Sequence, residues 1–312
     1  LTSGFYSATK NIGKVRNDGL ELSLSSVNIQ TKNFTWSTDF NIAFNKNEVL
    51  ALSEGQNSLL TAASFDQNYN SQSSYIAQVG LPMGMMYGYI YEGTYKYDDF
   101  NTYTLKKGVP YYSTETNTQP GMPKYKDVNG DGIIDSNDRT IIGRGLPIHT
   151  GGFTNNFTYK GFDLSIFFQW SYGNDIMNAN RLFFESSNNK SRELNQYASY
   201  ANRWTPENPD SDIPAATTSA SNRVISSRIV EDGSFLRLKT VTLGYTFPKA
   251  LIAKARLTNA RVYIAAQNLW TWTSYSGYDP EVSVRNSALT PGLDFSSYPR
   301  AYSLSFGVNL GF

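Results

Sequence analysis

Hydrophobic and polar residues alternate along most of this chain. In the segment Phe34 to Phe44 the even positions are mostly aromatic or aliphatic, whereas the odd positions carry Thr, Ser, Asp, Asn and Ala. The segments Phe162 to Tyr172 and Ala301 to Phe312 repeat this arrangement. A period of two residues indicates β-strands with one apolar face. Weaker alternation occurs in Gly19 to Ile29, Gly152 to Tyr159, Phe235 to Phe247 and Arg261 to Trp270.

The length and aromatic content of these runs bear on the kind of all-β fold. Strands of soluble proteins usually have about five or six residues and bury mixtures of Val, Ile and Leu. A tilted membrane strand needs about 9 to 11 residues, and aromatic side chains gather where it meets the two interfaces. This chain has 22 Tyr, 18 Phe and 5 Trp. We therefore predict an antiparallel transmembrane β-barrel, with a soluble sandwich as the alternative.

The connections between the predicted strands are of two kinds. The short ones are Thr31 to Asn33, Lys160-Gly161 and Pro248 to Thr258, and the long polar ones are Asn47 to Pro147, Gly173 to Gly233 and Thr273 to Tyr298. Outer-membrane barrels keep short turns in the periplasm and long loops outside. The long connections are therefore predicted to be extracellular, and Phe312 is predicted to end in the periplasm.

Seven crossings separate these connections, and the segment 47–147 holds either none or two more. A complete bacterial barrel normally has an even number of strands with both ends inside. The odd count predicts that earlier strands precede Leu1. Inside the long segment, YGYIYEGTYKY places five tyrosines on one face. We interpret it as an interface girdle or a ribbon above the membrane, with a substrate-stacking platform as the other reading. Those tyrosines are Tyr87, Tyr89, Tyr91, Tyr95 and Tyr97, with Glu92 and Lys96 opposite.

Charge and composition exclude several functions. The net charge is +1, so nothing predicts binding to nucleic acid, and the absence of cysteine excludes disulfides and thiol nucleophiles. The single histidine, His149, begins a predicted strand and is interpreted as a rim residue. No phosphate loop, GxSxG motif or His/Glu metal cluster is present. We therefore predict that the chain is not an enzyme.

The segment DVNGDGIIDSND, residues 127–138, has the ligand spacing of a calcium loop, with Gly132 at the position of the sharp turn. Asp138 departs from the usual pattern, because a longer Glu normally binds bidentate there. An Asx-rich turn without metal is the alternative. The predicted Ca²⁺ ligands are the side chains of Asp127, Asn129, Asp131, Asp135 and Asp138 and the carbonyl of Ile133.

Two further groups of aromatic residues are candidates for contacts. A helix-like patch in the segment 173–233 carries apolar side chains that pack either on a partner protein or within the loop, and we favour internal packing. Those side chains are Leu182, Phe183, Tyr197 and Trp204. Tyr275 and Tyr278 have flat faces on which sugar rings could stack.

The order of several blocks resembles the C-terminal portion of SusC/RagA-type TonB-dependent transporters of Bacteroidetes outer membranes. The resemblance runs from one end of the chain to the other and closes on a C-terminal Phe. The blocks are NIGKVRNDGLEL at Asn11, PKYKDVNGDGIIDSNDRTIIG at Pro123, YKGFDLSIFFQWSYGNDIMN at Tyr159, RWTPENPDSDIP at Arg203, GSFLRLKTVTLGYTFP at Gly233 and QNLWTWTSYSGYDPEV at Gln267.

This resemblance implies a plugged barrel of about 22 strands in outer-membrane lipid, of which the chain supplies the last strands. It further implies TonB contact through a missing N-terminal region, a SusD-like lipoprotein cap, import of oligosaccharides or peptides, and a dimer of transporter–lipoprotein pairs. The alternative function is a calcium-stabilised surface adhesin or dockerin-like binding module that transports nothing. A dockerin needs two calcium loops, and the sequence holds one.

Overall fold

The computed structural model describes residues 13–53, 55–67, 69, 71–102, 104–112, 114–187, 194–216, 224–284 and 287–312. Leu1, Asn11 and residues 188–193 of the helix-like patch lie outside these ranges. Among the described residues, no helix combines the length and apolar character that crossing a membrane requires.

Strands dominate the described residues. In chain order they are β1 (Lys14–Gln30), β2 (Phe34–Ala51), β3 (Ser58–Ala62), β4 (Ser73–Gln78), β5 (Met85–Gly88), β6 (Tyr91–Thr94), β7 (Phe100–Asn101), β8 (Thr104–Leu105), β9 (Tyr111–Tyr112), β10 (Pro123–Tyr125), β11 (Ile133–Ile134), β12 (Thr140–Arg144), β13 (His149–Tyr159), β14 (Phe162–Tyr172), β15 (Asp175–Asn178), β16 (Val230–Asp232), β17 (Phe235–Thr246), β18 (Asn259–Thr273), β19 (Leu293–Asp294) and β20 (Ser303–Gly311). The α-helices are α1 (Asn180–Phe184) and α2 (Lys249–Ile252), and short 3-10 helices include Ser136–Asp138 and Ala198–Asn202.

Seven long strands form one antiparallel sheet in the order β1-β2-β13-β14-β17-β18-β20, here called the wall sheet. They correspond to the seven predicted crossings, which confirms the antiparallel all-β prediction. Within the described residues, strands β3 to β12 all belong to other sheets. The segment 47–147 therefore adds no further crossing to the wall sheet.

The strand register gathers the predicted apolar positions on one face of the wall sheet. Phe40 pairs with Leu24 and with Phe153, and Ile264 pairs with Leu243 and with Phe306. Side chains on this face remain open; Phe306, for example, is 76% exposed. Such a face is unfavourable in water but suits hydrocarbon, because each strand inside the sheet pairs its backbone groups with both neighbours.

A β-bulge explains why the alternation is weak in β17. Adjacent residues Phe167 and Phe168 of β14 pair with Thr240 and Leu238 of β17, so that Lys239 is an extra residue relative to β14. Beyond such an extra residue, the side chains that face one side of the sheet change from even-numbered to odd-numbered positions. The apolar face accordingly uses even positions such as Leu236 before the bulge and odd positions such as Leu243 after it.

Polar side chains line the opposite face of the wall sheet. Asp163 of β14 forms an ion pair with Arg261 of β18 at 2.5 Å, across the intervening strand β17. On β2, Asp39 accepts a hydrogen bond from the Ser25 hydroxyl at 2.7 Å. The two faces thus differ in chemistry as the alternation predicted.

The three long connections leave the wall sheet at the end opposite its short turns, because Tyr159 pairs with Phe34 and Asn259 pairs with Gly311 at the turn end. We call residues 52–148 the first loop, 173–234 the second loop and 274–302 the third loop, and together they form the loop body. Small sheets within it join strands of different loops, for example β16-β15-β19. The C-terminal residue lies at the short-turn end.

A hydrophobic core holds the loop body together. Its members come from all three loops and are largely inaccessible to water. They are Ala63, Tyr69, Tyr75, Met86, Met177, Ala179, Leu182, Phe183, Ile225, Ile229 and Leu293. The loops therefore make up a packed structure of their own at one end of the wall sheet.

Candidate functional site

A cavity of about 620 Å³ opens where the second and third loops meet. It is lined by Asn180, Arg181, Glu185, Tyr197, Ser199, Glu231, Ser276, Gly277, Tyr278 and Asp294. A neighbouring cavity of about 420 Å³ shares Asn180, Tyr197 and Tyr278 with it and extends to Phe184 and Gln196. The two form one depression of a size typical of small-molecule sites. We call it the loop cavity.

Backbone pairing positions the lining residues. Strand β19 runs parallel to β15, and the Ala179 amide donates to the carbonyl of Asp294 at 2.9 Å. The amide of Ser296 donates to the side chain of Asn180 at 2.7 Å. These bonds join residues more than one hundred positions apart. The rigid small sheet thereby places third-loop groups beside helix α1.

Ion pairs satisfy two of the cavity carboxylates. Arg181 contacts Glu185 at 2.9 Å and Glu231 at 3.4 Å, and Arg228 contacts Glu185 at 2.7 Å. Burial by itself raises the pKa of Glu185, but Arg181, the Ser199 hydroxyl and Arg228 outweigh burial and hold this pKa below its ordinary value. Glu185 is therefore a charged, fully partnered carboxylate.

Asp294 is different because one of its oxygens has no partner in the part of the chain that the structure describes. The residue is 3% exposed, and its Oδ2 accepts a hydrogen bond from the Tyr275 hydroxyl at 2.5 Å. Its Oδ1 has no hydrogen-bond partner among the described residues. Burial, and then the hydrogen bond to Asp294, raises the pKa of Tyr275. The tyrosine hydroxyl therefore keeps its proton and orients the carboxylate.

The aromatic candidates divide between the loop core and the cavity. Tyr275 is buried and bonded to Asp294, so no sugar ring can stack on it. Tyr278 is 83% exposed and lines the loop cavity, and Tyr197 lines it while packing on Phe184 at 5.2 Å between ring centroids. The other members of the helix-like patch, Leu182, Phe183 and Trp204, are buried, as internal packing predicted.

The tyrosine-rich ribbon is also part of the loop packing. It is split between β5 and β6 and lies outside the wall sheet. Tyr89 and Tyr95 are buried, and Tyr89 packs against Tyr112 and Tyr125. Burial raises the pKa of Tyr89 to about 12. The ribbon therefore lies beyond the wall sheet. Its buried rings, Tyr89 and Tyr95, offer no free face on which a substrate could stack.

The segment 127–138 folds as a series of Asx turns. The two carboxylate oxygens of Asp127 accept the amides of Gly130 and Gly132, each at 2.7 Å, and these glycines have φ of 76° and 86°. Asn129 and Asp131 each accept the amide two residues on. In the part of the chain that the structure describes, no three His, Cys, Asp or Glu side chains form a group that could hold a metal ion.

Asp138 closes the same segment. Its carboxylate accepts the amides of Val128 and Asp135, both at 2.8 Å, while Asp135 accepts the amide of Asn137 at 2.7 Å. Burial opposes ionisation of Asp138, but these backbone donors prevail and hold its pKa below the ordinary value. Asp138 thus stabilises the loop through hydrogen bonds to both of its ends.

His149 lies among aromatic rings at the loop end of β13. Its ring contacts Phe44 and Tyr172 at 5.3 and 5.0 Å between centroids. Its Nδ1 accepts a hydrogen bond from the indole of Trp170 at 3.1 Å. This is the rim position predicted from the sequence.

A second charged cluster attaches the third loop to the polar face of the wall sheet. Arg237 of β17 is buried and contacts Asp279 at 2.6 Å and Glu281 at 2.7 Å. Lys239, the bulge residue, also contacts Glu281 at 3.3 Å. Neither this cluster nor the acidic lining of the loop cavity could be recognised in the sequence, because neither has a characteristic spacing along the chain.

Long antiparallel strands with one apolar face, and packed loops at one end only, define the wall of an outer-membrane barrel protein. No family model matches the chain. It is 36% identical to the TonB-dependent receptor P3 of Formosa agariphila over 99% of this chain and 30% of that receptor. It is 27% identical to the TonB-dependent receptor SusC of Bacteroides thetaiotaomicron over 97% of this chain and 27% of that receptor. The chain thus spans about 30% of the length of these relatives.

Solved structures give the same result. The RagAB peptide transporter superimposes with a TM-score of 0.75 and 26% identity, over 100% of this chain and 31% of that chain. The RagAB peptide importer in the 'open-open' state gives 0.73 over 30% of its chain. The chain is homologous to a portion of the TonB-dependent receptors, among them SusC, and its structural neighbour is RagAB. These proteins are receptors and transporters, which confirms the prediction that the chain is not an enzyme.

Proposed function

We propose that the protein containing this chain imports a nutrient across the outer membrane, driven through TonB. The observation that carries this proposal is the match to SusC and RagAB over essentially the whole chain. The two faces of the wall sheet fit this role, since one suits lipid and the other a polar interior. The short-turn end, with Phe312, is then periplasmic, and the loop body is extracellular.

The substrate proposed is an oligosaccharide or a peptide, received from a SusD-like lipoprotein that covers the loop body. RagAB is named as a peptide transporter, which supports the peptide option. TonB would act on residues beyond the matched 30%. Pairs of transporter and lipoprotein would associate as a dimer.

Uptake measurements test the import proposal. We expect an in-frame deletion in the source bacterium to abolish uptake of one class of fluorescently labelled substrate, either oligosaccharides or peptides. A protonophore should have the same effect on the undeleted strain, because TonB uses the proton gradient.

Complementation of the deletion strain with the intact gene is the control. Surface binding that is lost on deletion, with uptake unchanged and insensitive to the protonophore, would instead establish the adhesin alternative.

Mass spectrometry of the detergent-extracted complex tests the partner. A lipoprotein that co-purifies in a 1:1 ratio, and a mass equal to two such pairs, is the expected result. Isolation of the protein alone from native membranes, under conditions in which other pairs survive, would contradict the partnership.

We also propose that the segment 127–138 binds Ca²⁺ as a structural ion. Its oxygens have the spacing of a calcium loop, and a carboxylate oxygen that accepts one amide retains further lone pairs. The proposed ligands are the carbonyl of Ile133 and the side chains of Asp127, Asn129, Asp131, Asp135 and Asp138. Asp138 would also hold the two ends of the loop together. The bound ion would supply local rigidity to the first loop.

Calorimetric titration of the chelator-treated protein with CaCl₂ tests this. An extracellular site of this kind has a Kd of about 10⁻⁴ to 10⁻³ M. The heat should disappear in Asp131→Ala and persist in Asp98→Ala, a matched change at an exposed aspartate of the same loop. Equal heats in both variants, or none in the wild type, would show that the Asx turns hold the loop without metal.

A further inference from the structure

The loop cavity carries an excess of negative charge. Its lining contains Arg181 against Glu185, Glu231 and Asp294, a net of −2. Arg228, which pairs with Glu185 from outside the cavity, reduces the excess to −1. The remaining carboxylate is Asp294, because the other two are engaged by arginines. A ligand that complements this lining brings a positive charge and hydrogen-bond donors.

The carboxylate of Asp294 is the group that such a donor would contact. A buried carboxylate with an unpartnered oxygen is costly, because the oxygen has lost water without gaining a hydrogen bond. Oδ1 is in this position, while Tyr275 holds Oδ2. The pairing of β19 with β15 fixes the backbone of Asp294 beside Asn178.

The aromatic residues fit the same ligand. Tyrosine faces attract ammonium and guanidinium groups, and Tyr278 and Tyr197 flank the acidic lining. The adjoining part of the cavity, with Phe184, Gln196 and Ser297, offers an amphipathic surface for the rest of a larger molecule. A metal ion fits less well, since no three carboxylates cluster tightly enough in the described residues.

We propose that the loop cavity binds a cationic group, an ammonium or guanidinium, of the imported substrate, with Asp294 as its counter-ion. The proposal rests on the import function and narrows its substrate class to molecules that carry a basic group. Two sources share this chemistry: a peptide with a basic residue and an oligosaccharide containing a free amino sugar.

Calorimetry on the complete protein in detergent tests the proposal with two pairs of probes. Trilysine is compared with its Nε-acetylated form, and chitosan tetraose with its N-acetylated counterpart, chitin tetraose. We expect at least one cationic probe to bind about tenfold or more tightly than its acetylated partner, because only the cation can pair with Asp294. Preference for trilysine identifies a peptide source, and preference for chitosan tetraose an amino sugar.

Two variants locate the binding. Asp294→Asn should lower the affinity for the cationic probe about tenfold or more, while the affinity for the acetylated probe stays unchanged. Tyr278→Ala should lower the affinity for the cationic probe about threefold. Because Tyr278 is exposed, this change should not harm folding. Glu207→Gln removes an equal charge at an exposed second-loop position outside the cavity and should bind as the wild type.

Equal affinity for charged and acetylated probes overturns the proposal, as does an unchanged affinity in both Asp294→Asn and Tyr278→Ala. The import proposal fails separately. Substrate uptake that depends on the protein but shows no preference for charge overturns only the cavity assignment. Charge-selective binding by a protein whose deletion leaves uptake intact overturns only import.

Discussion

The wall sheet and the loop body use opposite means to stay folded. In the wall sheet, continuous backbone pairing between neighbouring strands carries the structure, and large apolar side chains such as Phe306 remain exposed. In the loop body the strands are short, and residues such as Phe183 and Ile229 are buried as in a soluble protein. The two regions of the chain are therefore suited to different solvents, the wall sheet to lipid and the loop body to water. Apolar side chains point outward in the wall sheet and inward in the loop body.

The largest expected effect concerns the core of the loop body. Phe183→Ala removes a ring that packs against Tyr69 and Phe295 and should lower the free energy of unfolding of the loop body by about 3–5 kcal/mol. Limited proteolysis should then cut the loops while the detergent-resistant wall survives. Tyr298→Ala, at a fully solvated third-loop ring, is the control. Loss of the wall together with the loops would show that the two regions fold as one unit.

The next effect contrasts the two faces of one wall strand. Phe306→Arg places a charge on the apolar face and should cost about 2–4 kcal/mol near the bilayer centre. Ser305→Arg, one residue away on the polar face, should cost much less. Refolding into lipid vesicles under urea titration measures both. Equal penalties would contradict the assignment of the faces.

A smaller effect is expected where the two regions meet. Asp279→Ala leaves the buried Arg237 with one of its two carboxylate partners and should cost about 1–3 kcal/mol. Hydrogen exchange should rise in the third loop and stay constant in β17. The exposed second-loop change Asp210→Ala is the control. No change in exchange would mean that this cluster does not attach the loop to the wall.

The smallest effect is a dependence on pH confined to the segment 127–138. The folded pKa of Asp138 lies below its ordinary value of 3.8, so ionised Asp138 stabilises the loop above that pH and the stabilisation is lost as the pH falls through the lower folded pKa. Amide exchange at Val128 and Asp135, corrected for intrinsic rates, should increase below about pH 4. Asp138→Asn should remove most of this dependence; protection that is unchanged down to pH 2 would contradict it.

The parts of the fold that follow from local repetition could be predicted from the sequence. Alternation in Phe34 to Phe44 and Phe162 to Tyr172 located strands of the wall sheet, and turn residues located the hairpins. Prediction was weakest at Lys239, where a bulge moves the apolar positions of β17 from even to odd numbers. The cavity was not predictable, because Glu185, Glu231 and Asp294 come from separate segments and meet only through β15, β16 and β19.

The pattern of residues by itself therefore determined the number of wall strands, the apolar face of the strongly alternating ones and the positions of the long connections, since a period of two is set within each strand. Only the tertiary structure decided that the three loops share one core, that Tyr275 is buried while its neighbour Tyr278 is open, and that Asp294 keeps an unpartnered oxygen beside a cavity. These features depend on contacts between residues far apart in the chain, which leave no period to recognise.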